Sequence, residues 1–128
     1  SKGLGETIEP LKEVLKEDFL PFEKTYFDAL LEEDFLAKVK SLNKKQIVIC
    51  GIESHICVYQ TAKHLMQMGF EVIVAKDVCA SRNKFEFKCA MDLLRQEGAK
   101  VSCLEIILFD WLGGAKNPKF KEVQALIK

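Results

Sequence analysis

The stretch Ile47-Val48-Ile49-Cys50-Gly51-Ile52-Glu53-Ser54-His55-Ile56-Cys57-Val58-Tyr59-Gln60-Thr61 decides how this chain folds and where its chemistry sits. Its first four residues are apolar without alternation, which is the pattern of a central parallel strand covered by helices on both faces. Its end opens a helical pattern over 57–68. A strand, a tight turn and a helix therefore deliver the Cys57 thiol to the first turn of a helix. Unpaired backbone N–H groups and the positive end of the helix dipole lie there, and both favour thiolate over thiol. A cysteine in that position can act as a nucleophile without a metal. The plainer alternative is a buried, inert cysteine at a helix start.

Downstream, the helix carries Val58, Ala62, Leu65 and Met66 and stops at Gly69, a residue suited to the left-handed position after a helix. Glu71-Val72-Ile73-Val74-Ala75 reads as the next strand, and Phe87, Ala90, Met91 and Leu94 mark an amphipathic helix closed by Gly98. Residues 101–104 read as a last strand, 105–112 as a short helix, and Asn117-Pro118 introduces a terminal helix with Phe120, Val123, Leu126 and Ile127. Upstream, Phe35, Val39 and Leu42 recur at i, i+4, i+7 and predict a helix ending near Asn43. Residues 21–27 read as extended, and residues 8–15 as a helix or turn that tolerates Pro10 near its start. Strands alternating with helices of this length predict an α/β fold, a three-layer, doubly wound (Rossmann-like) parallel sheet. Ligands in such sheets bind beyond the carboxyl ends of the strands. Cys57 follows one of those ends and residues 77–82 follow another.

The chain has 128 residues, which suggests one domain over 1–128, with 48% apolar and 30% charged residues in an ordinary globular balance. Lys plus Arg equals Asp plus Glu at 19 each, so overall charge favours neither nucleic acid nor an anionic membrane as partner. No apolar run reaches the roughly 18 residues of a membrane span, and the opening residues do not read as a signal peptide. Five cysteines without a Cys-x-x-Cys pair, and only two histidines, argue against a structural zinc site and for a reducing, cytoplasmic compartment. No Gly-x-Gly-x-x-Gly follows any strand, which speaks against dinucleotide binding.

Residues 51–61, followed by Gly69-Phe70-Glu71-Val72 and Asp77-Val78-Cys79-Ala80-Ser81-Arg82, resemble the isochorismatase-like cysteine hydrolases. Lys2-Gly3-Leu4-Gly5 and Asn117-Pro118-Lys119-Phe120-Lys121-Glu122-Val123-Gln124 point to the eukaryotic isochorismatase-domain-containing subgroup. The resemblance implies an Asp, Lys and Cys triad. Carried over by motif, Cys57 is the nucleophile and Lys24, within Phe22-Glu23-Lys24-Thr25-Tyr26-Phe27, is the lysine. The Ile52–Glu53 bond matches a cis peptide that shapes an oxyanion hole in the family, with the N–H groups of Glu53 and Cys57 as donors. Phe22, Phe27 and Tyr59 are candidates to border the pocket. The implied activity is hydrolysis of a small amide-type substrate through a thioester, with no cofactor and no metal, in a homo-oligomer.

The family's aspartate lies in an Asp-x-Gln type strand upstream of Lys-Gly-Leu-Gly, and none of Asp18, Asp28, Asp34, Asp77, Asp92 or Asp110 sits in a matching context. The expectation is therefore an incomplete domain lacking its first strands, with an apolar strand edge left open. Activity of such a chain stays open, and a catalytically silent oligomerisation or interaction module that keeps the fold is the alternative. By residue type alone Lys24 is a solvated lysine, Cys50 is strand core, and Cys79, Cys89 and Cys103 are structural. His55 stands too near Cys57 in a tight turn to face it, His64 reads as solvated on a helix face, and Glu53 and Ser54 read as turn-shaping.

Overall fold

β-branched and small apolar residues build the centre of the molecule. In a computed structural model that describes residues 5–127, Val72, Ile73, Val74 and Ala75 are all buried in the middle strand of a parallel sheet. Ser1 to Leu4, and with them most of the Lys-Gly-Leu-Gly stretch, lie outside the described residues, as does Lys128. The chain runs through helix α1 (Glu9–Leu15), two short 3-10 turns (Lys16–Asp18 and Ala29–Leu31) and helix α2 (Glu33–Ser41). Strand β1 (Gln46–Gly51), a wide π turn (Ser54–Val58) and helix α3 (Tyr59–Gln67) follow. Then come β2 (Glu71–Cys79), α4 (Lys84–Gln96), β3 (Lys100–Ser102), α5 (Leu104–Leu112) and α6 (Phe120–Leu126).

The sheet order is β1-β2-β3, parallel throughout, with Ile47 opposite Val72 and Val74 opposite Val101. Successive side chains of a strand point to opposite faces, so β2 serves two cores at once. Val72 and Val74 pack with Val58, Ala62 and Leu65 beside α3, and with Met91 and Leu94 of α4. Ile73 and Ala75 pack with Ile107 of α5 on the other face. Helices on both faces of a parallel sheet make this a three-layer α/β fold. Gly69 and Gly98 close α3 and α4 with positive φ, as the sequence predicts.

Two expectations fail. Cys50 is exposed rather than core, because β1 is the outer strand among the described residues and its face is only partly covered. Residues 21–27 belong to no strand and run as an irregular segment with bends, tied down by side chains instead.

Candidate active site

Strand β1 ends on Gly51 with φ +121°, a backbone conformation that side chains with a Cβ rarely adopt. The next bond, Ile52–Glu53, is cis, and the chain then winds into the π turn that carries Cys57 into α3. The Glu53 carbonyl accepts from the N–H groups of Ile56 at 3.1 Å and Val58 at 3.3 Å. Among the described residues no backbone acceptor is bonded to the Glu53 N–H. Fully buried Ser54 donates both its N–H, at 2.9 Å, and its hydroxyl, at 2.8 Å, to the Ala80 carbonyl. The Ala80 N–H in turn donates to the Gly51 carbonyl at 3.1 Å. The segment beyond β2 is thereby sewn to the turn, and it brings Ser81 within 3.0 Å of His55 Nδ1. The Arg82 N–H donates to the Glu53 carboxylate at 3.2 Å. His55 thus faces Ser81 and Glu53, the latter at 3.6 Å.

Lys24 reaches the same place from 33 residues upstream, with Nζ 3.5 Å from Cys57 Sγ. Its ammonium also donates to the Tyr26 carbonyl at 3.0 Å. A folded-back Glu32 carboxylate organises this segment, accepting from the N–H of Thr25 at 2.6 Å and of Tyr26 at 3.3 Å. The Thr25 N–H, then the Tyr26 N–H, hold the Glu32 carboxyl below the usual carboxylate range. A cavity of about 210 Å³ beside Lys24 is lined by Leu20, Phe22, Ala29, Glu32 and Phe35. A larger, open hollow bordered by Lys76, Asp77, Phe87 and Arg95 includes neither Lys24 nor Cys57.

The pocket candidates separate. Phe22 lines the Lys24 cavity and packs edge-on against Phe35, with centroids 5.4 Å apart. Phe27 is 57% exposed and does not line it. Tyr59 packs against the core and donates its hydroxyl to Glu97, just past the end of α4, at 2.7 Å, a bond that raises its pKa. Ile52 is exposed at the rim of the turn. Burial pushes the Cys79 thiol up, which suits an unreactive sulfur. Among the described residues no group of three His, Cys, Asp or Glu side chains is placed to hold a metal.

Residue-type reasoning passed over three side chains that flank this site. His64, read as solvated, puts Nδ1 2.7 Å from Asp28 Oδ2. Asp28 also accepts the Leu30 N–H at 2.9 Å, and Thr61 Oγ accepts the Ala29 N–H at 3.0 Å. The available signal was spacing, since Cys57, Thr61 and His64 follow one another at four and three residues, which is one stripe of a helix.

Comparison with known proteins supplies the wider context. The model of the Isochorismatase domain matches residues 3–106. Isochorismatase domain-containing protein 2 of Xenopus laevis is 39% identical over 128 residues, covering 98% of this chain and 60% of the frog protein. The structure of the MAR1 ribonuclease from Caenorhabditis elegans superposes with a TM-score of 0.90 at 36% identity, over 98% of this chain and 64% of that one. The YcaC gene product of Escherichia coli, an octameric hydrolase of unknown specificity, gives a TM-score of 0.71 at 29% identity over 77% of this chain and 48% of that one. The chain thus spans less than two thirds of each of these relatives.

Proposed function

The chain belongs to the isochorismatase domain family, and from that premise we propose that it carries the cysteine–lysine part of a hydrolase site that cleaves a small amide-type substrate through a thioester. The 3.5 Å approach of Lys24 Nζ to Cys57 Sγ, between segments far apart in sequence, is the observation that carries this reading. A cation at that distance steadies an anionic sulfur, and both are only partly exposed, so water screens the pair incompletely.

In the proposed reaction, Cys57 Sγ attacks the substrate carbonyl carbon and a C–S bond forms. The Glu53 N–H, which has no backbone acceptor among the described residues, and the Cys57 N–H hold the developing oxyanion. Collapse breaks the C–N bond, and the leaving amine takes up the proton that the thiol gave up. Water then cleaves the thioester, releasing the acid and restoring the thiol. The proton passes through a carboxylate that the family pattern implies, since among the described residues no carboxylate is hydrogen-bonded to Cys57. The same reading takes the working protein as a homo-oligomer in the reducing cytoplasm, with a small molecule rather than a nucleic acid as substrate. The octameric relative supports the first point. No helix among the described residues is long and apolar enough to cross a membrane.

The test is a screen of small primary and secondary amides with the intact protein, read by mass spectrometry for an acyl adduct on Cys57. Turnover that accumulates the adduct and disappears in Cys57→Ala supports the proposal. Turnover that survives Cys57→Ala, or cleavage of an RNA oligonucleotide in place of any amide, overturns it; the name of the C. elegans relative makes RNA the natural competitor. The second reading, a silent interaction module, predicts that Cys57 alkylates no faster than the other four cysteines.

A further inference from the structure

We propose that Asp28, Thr61 and His64 form a clamp that positions Lys24 against Cys57; the inference deepens the hydrolase reading and rests on it. The starting point is how little else holds Lys24 in place. Among the described residues, positions 20–27 make no backbone-to-backbone hydrogen bond. A lysine side chain has ample rotamer freedom, so an ammonium on such a segment has no fixed address unless side chains provide one.

Helix α3 and the π turn before it provide that address along a single stripe. Cys57, Thr61 and His64 stand four and three residues apart, and the upstream segment meets all three of them. Lys24 lies at Cys57, the Ala29 N–H binds Thr61 Oγ at 3.0 Å, and Asp28 Oδ2 binds His64 Nδ1 at 2.7 Å. Leu30, 2% exposed, anchors the arrangement by packing into the core beside Val58, Ala62 and Leu65. The polar members are not surface decoration, because Asp28 is 9% and Thr61 6% exposed. A carboxylate buried to that degree needs a donor at each oxygen. The Leu30 N–H serves Oδ1 and His64 serves Oδ2. An ionised carboxylate only accepts, so this pairing uses His64 Nδ1–H. Glu32 completes the segment from within by binding the Thr25 and Tyr26 N–H groups, which sets the chain direction immediately after Lys24. Among the described residues Asp28, Thr61 and His64 are not hydrogen-bonded to Cys57, so they are positioning residues and not catalytic ones.

The test uses the intact protein and the rate at which iodoacetamide alkylates Cys57 across pH, with Lys24→Ala as the reference for a lost ammonium. His64→Ala and Thr61→Val are expected to move the pH–rate profile toward that of Lys24→Ala, with alkylation at neutral pH about tenfold slower. His64→Asn, whose amide nitrogen can stand where Nδ1 stood, and Thr61→Ser, which keeps the acceptor, are expected to restore the profile. A purely structural role would lower the urea midpoint and leave the profile of the folded protein unmoved, and that result overturns the clamp. Should His64→Ala fail to fold, the paired comparison of Thr61→Val with Thr61→Ser decides alone. A profile unmoved by Lys24→Ala overturns the Cys57–Lys24 reading itself. One moved by Lys24→Ala but by no clamp variant overturns the clamp alone.

Discussion

The two halves of the candidate site are held by different means. The turn from Gly51 to Val58 is fixed by its own backbone and by the core: buried Ser54 is bonded twice to Ala80, Val58 is packed under the sheet, and the Glu53 carbonyl accepts two N–H groups. The segment around Lys24 has no such framework and depends on Asp28, Glu32, Thr61 and His64. A sulfur placed by backbone geometry is robust to most side-chain changes, whereas an ammonium placed by four polar side chains is adjustable. Local stability follows buried contact and protected hydrogen bonds, so the Lys24 segment should open before the turn does.

That contrast can be broken at several scales. The largest effect is expected from Leu65→Ala in α3, a residue 2% exposed in the core under the turn. Urea unfolding should show a loss of about 2–5 kcal/mol, with the alkylation profile of Cys57 in the folded fraction unchanged. A shifted profile would mean that core packing, not the side-chain clamp, sets the Lys24 position.

Ser54→Ala comes next. It removes one of two bonds to the Ala80 carbonyl and leaves no buried acceptor unpaired, because the Ser54 N–H remains. The expected cost is about 1 kcal/mol by the same unfolding measurement, and a cost as large as that of Leu65→Ala would show that the turn has little strength of its own.

The smallest effect is local and pH-dependent. Glu32 binds a proton less readily folded than unfolded, because the Thr25 and Tyr26 N–H groups favour its carboxylate. Its contribution is therefore complete above the unfolded carboxylate value and is lost as pH falls through the lower folded value. Hydrogen exchange should show the Thr25 and Tyr26 amides protected through the ordinary carboxylate range and released below it, while the Ser54 amide stays protected. Simultaneous release of all three would erase the distinction between the two halves.

Much of this molecule was readable one segment at a time. The helices over 59–67 and 84–96 and the strand beginning at Glu71 follow from apolar spacing and closing glycines, because periodicity and left-handed turns are properties of neighbouring residues. The strand–turn–helix around Cys57 was readable for the same reason. Lys24 entered through a motif, and its 3.5 Å approach to Cys57 is a fact of tertiary structure.

What the chain alone left undecided depends on which segments become neighbours. Cys50 has the sequence of a core residue, yet it is exposed, because burial of a strand is set by what lies beside it. Asp77 gives no hint along the chain that both its oxygens accept the Leu104 N–H at the start of α5. His64 and Asp28 are 36 residues apart and look like ordinary surface polar residues until α3 and the upstream segment pack together. Short-range order thus determined the scaffold and the place of the thiol. Only long-range packing decided which cation and which polar side chains surround it, because hydrogen bonds and burial act through space and carry no trace of their partners in a linear pattern.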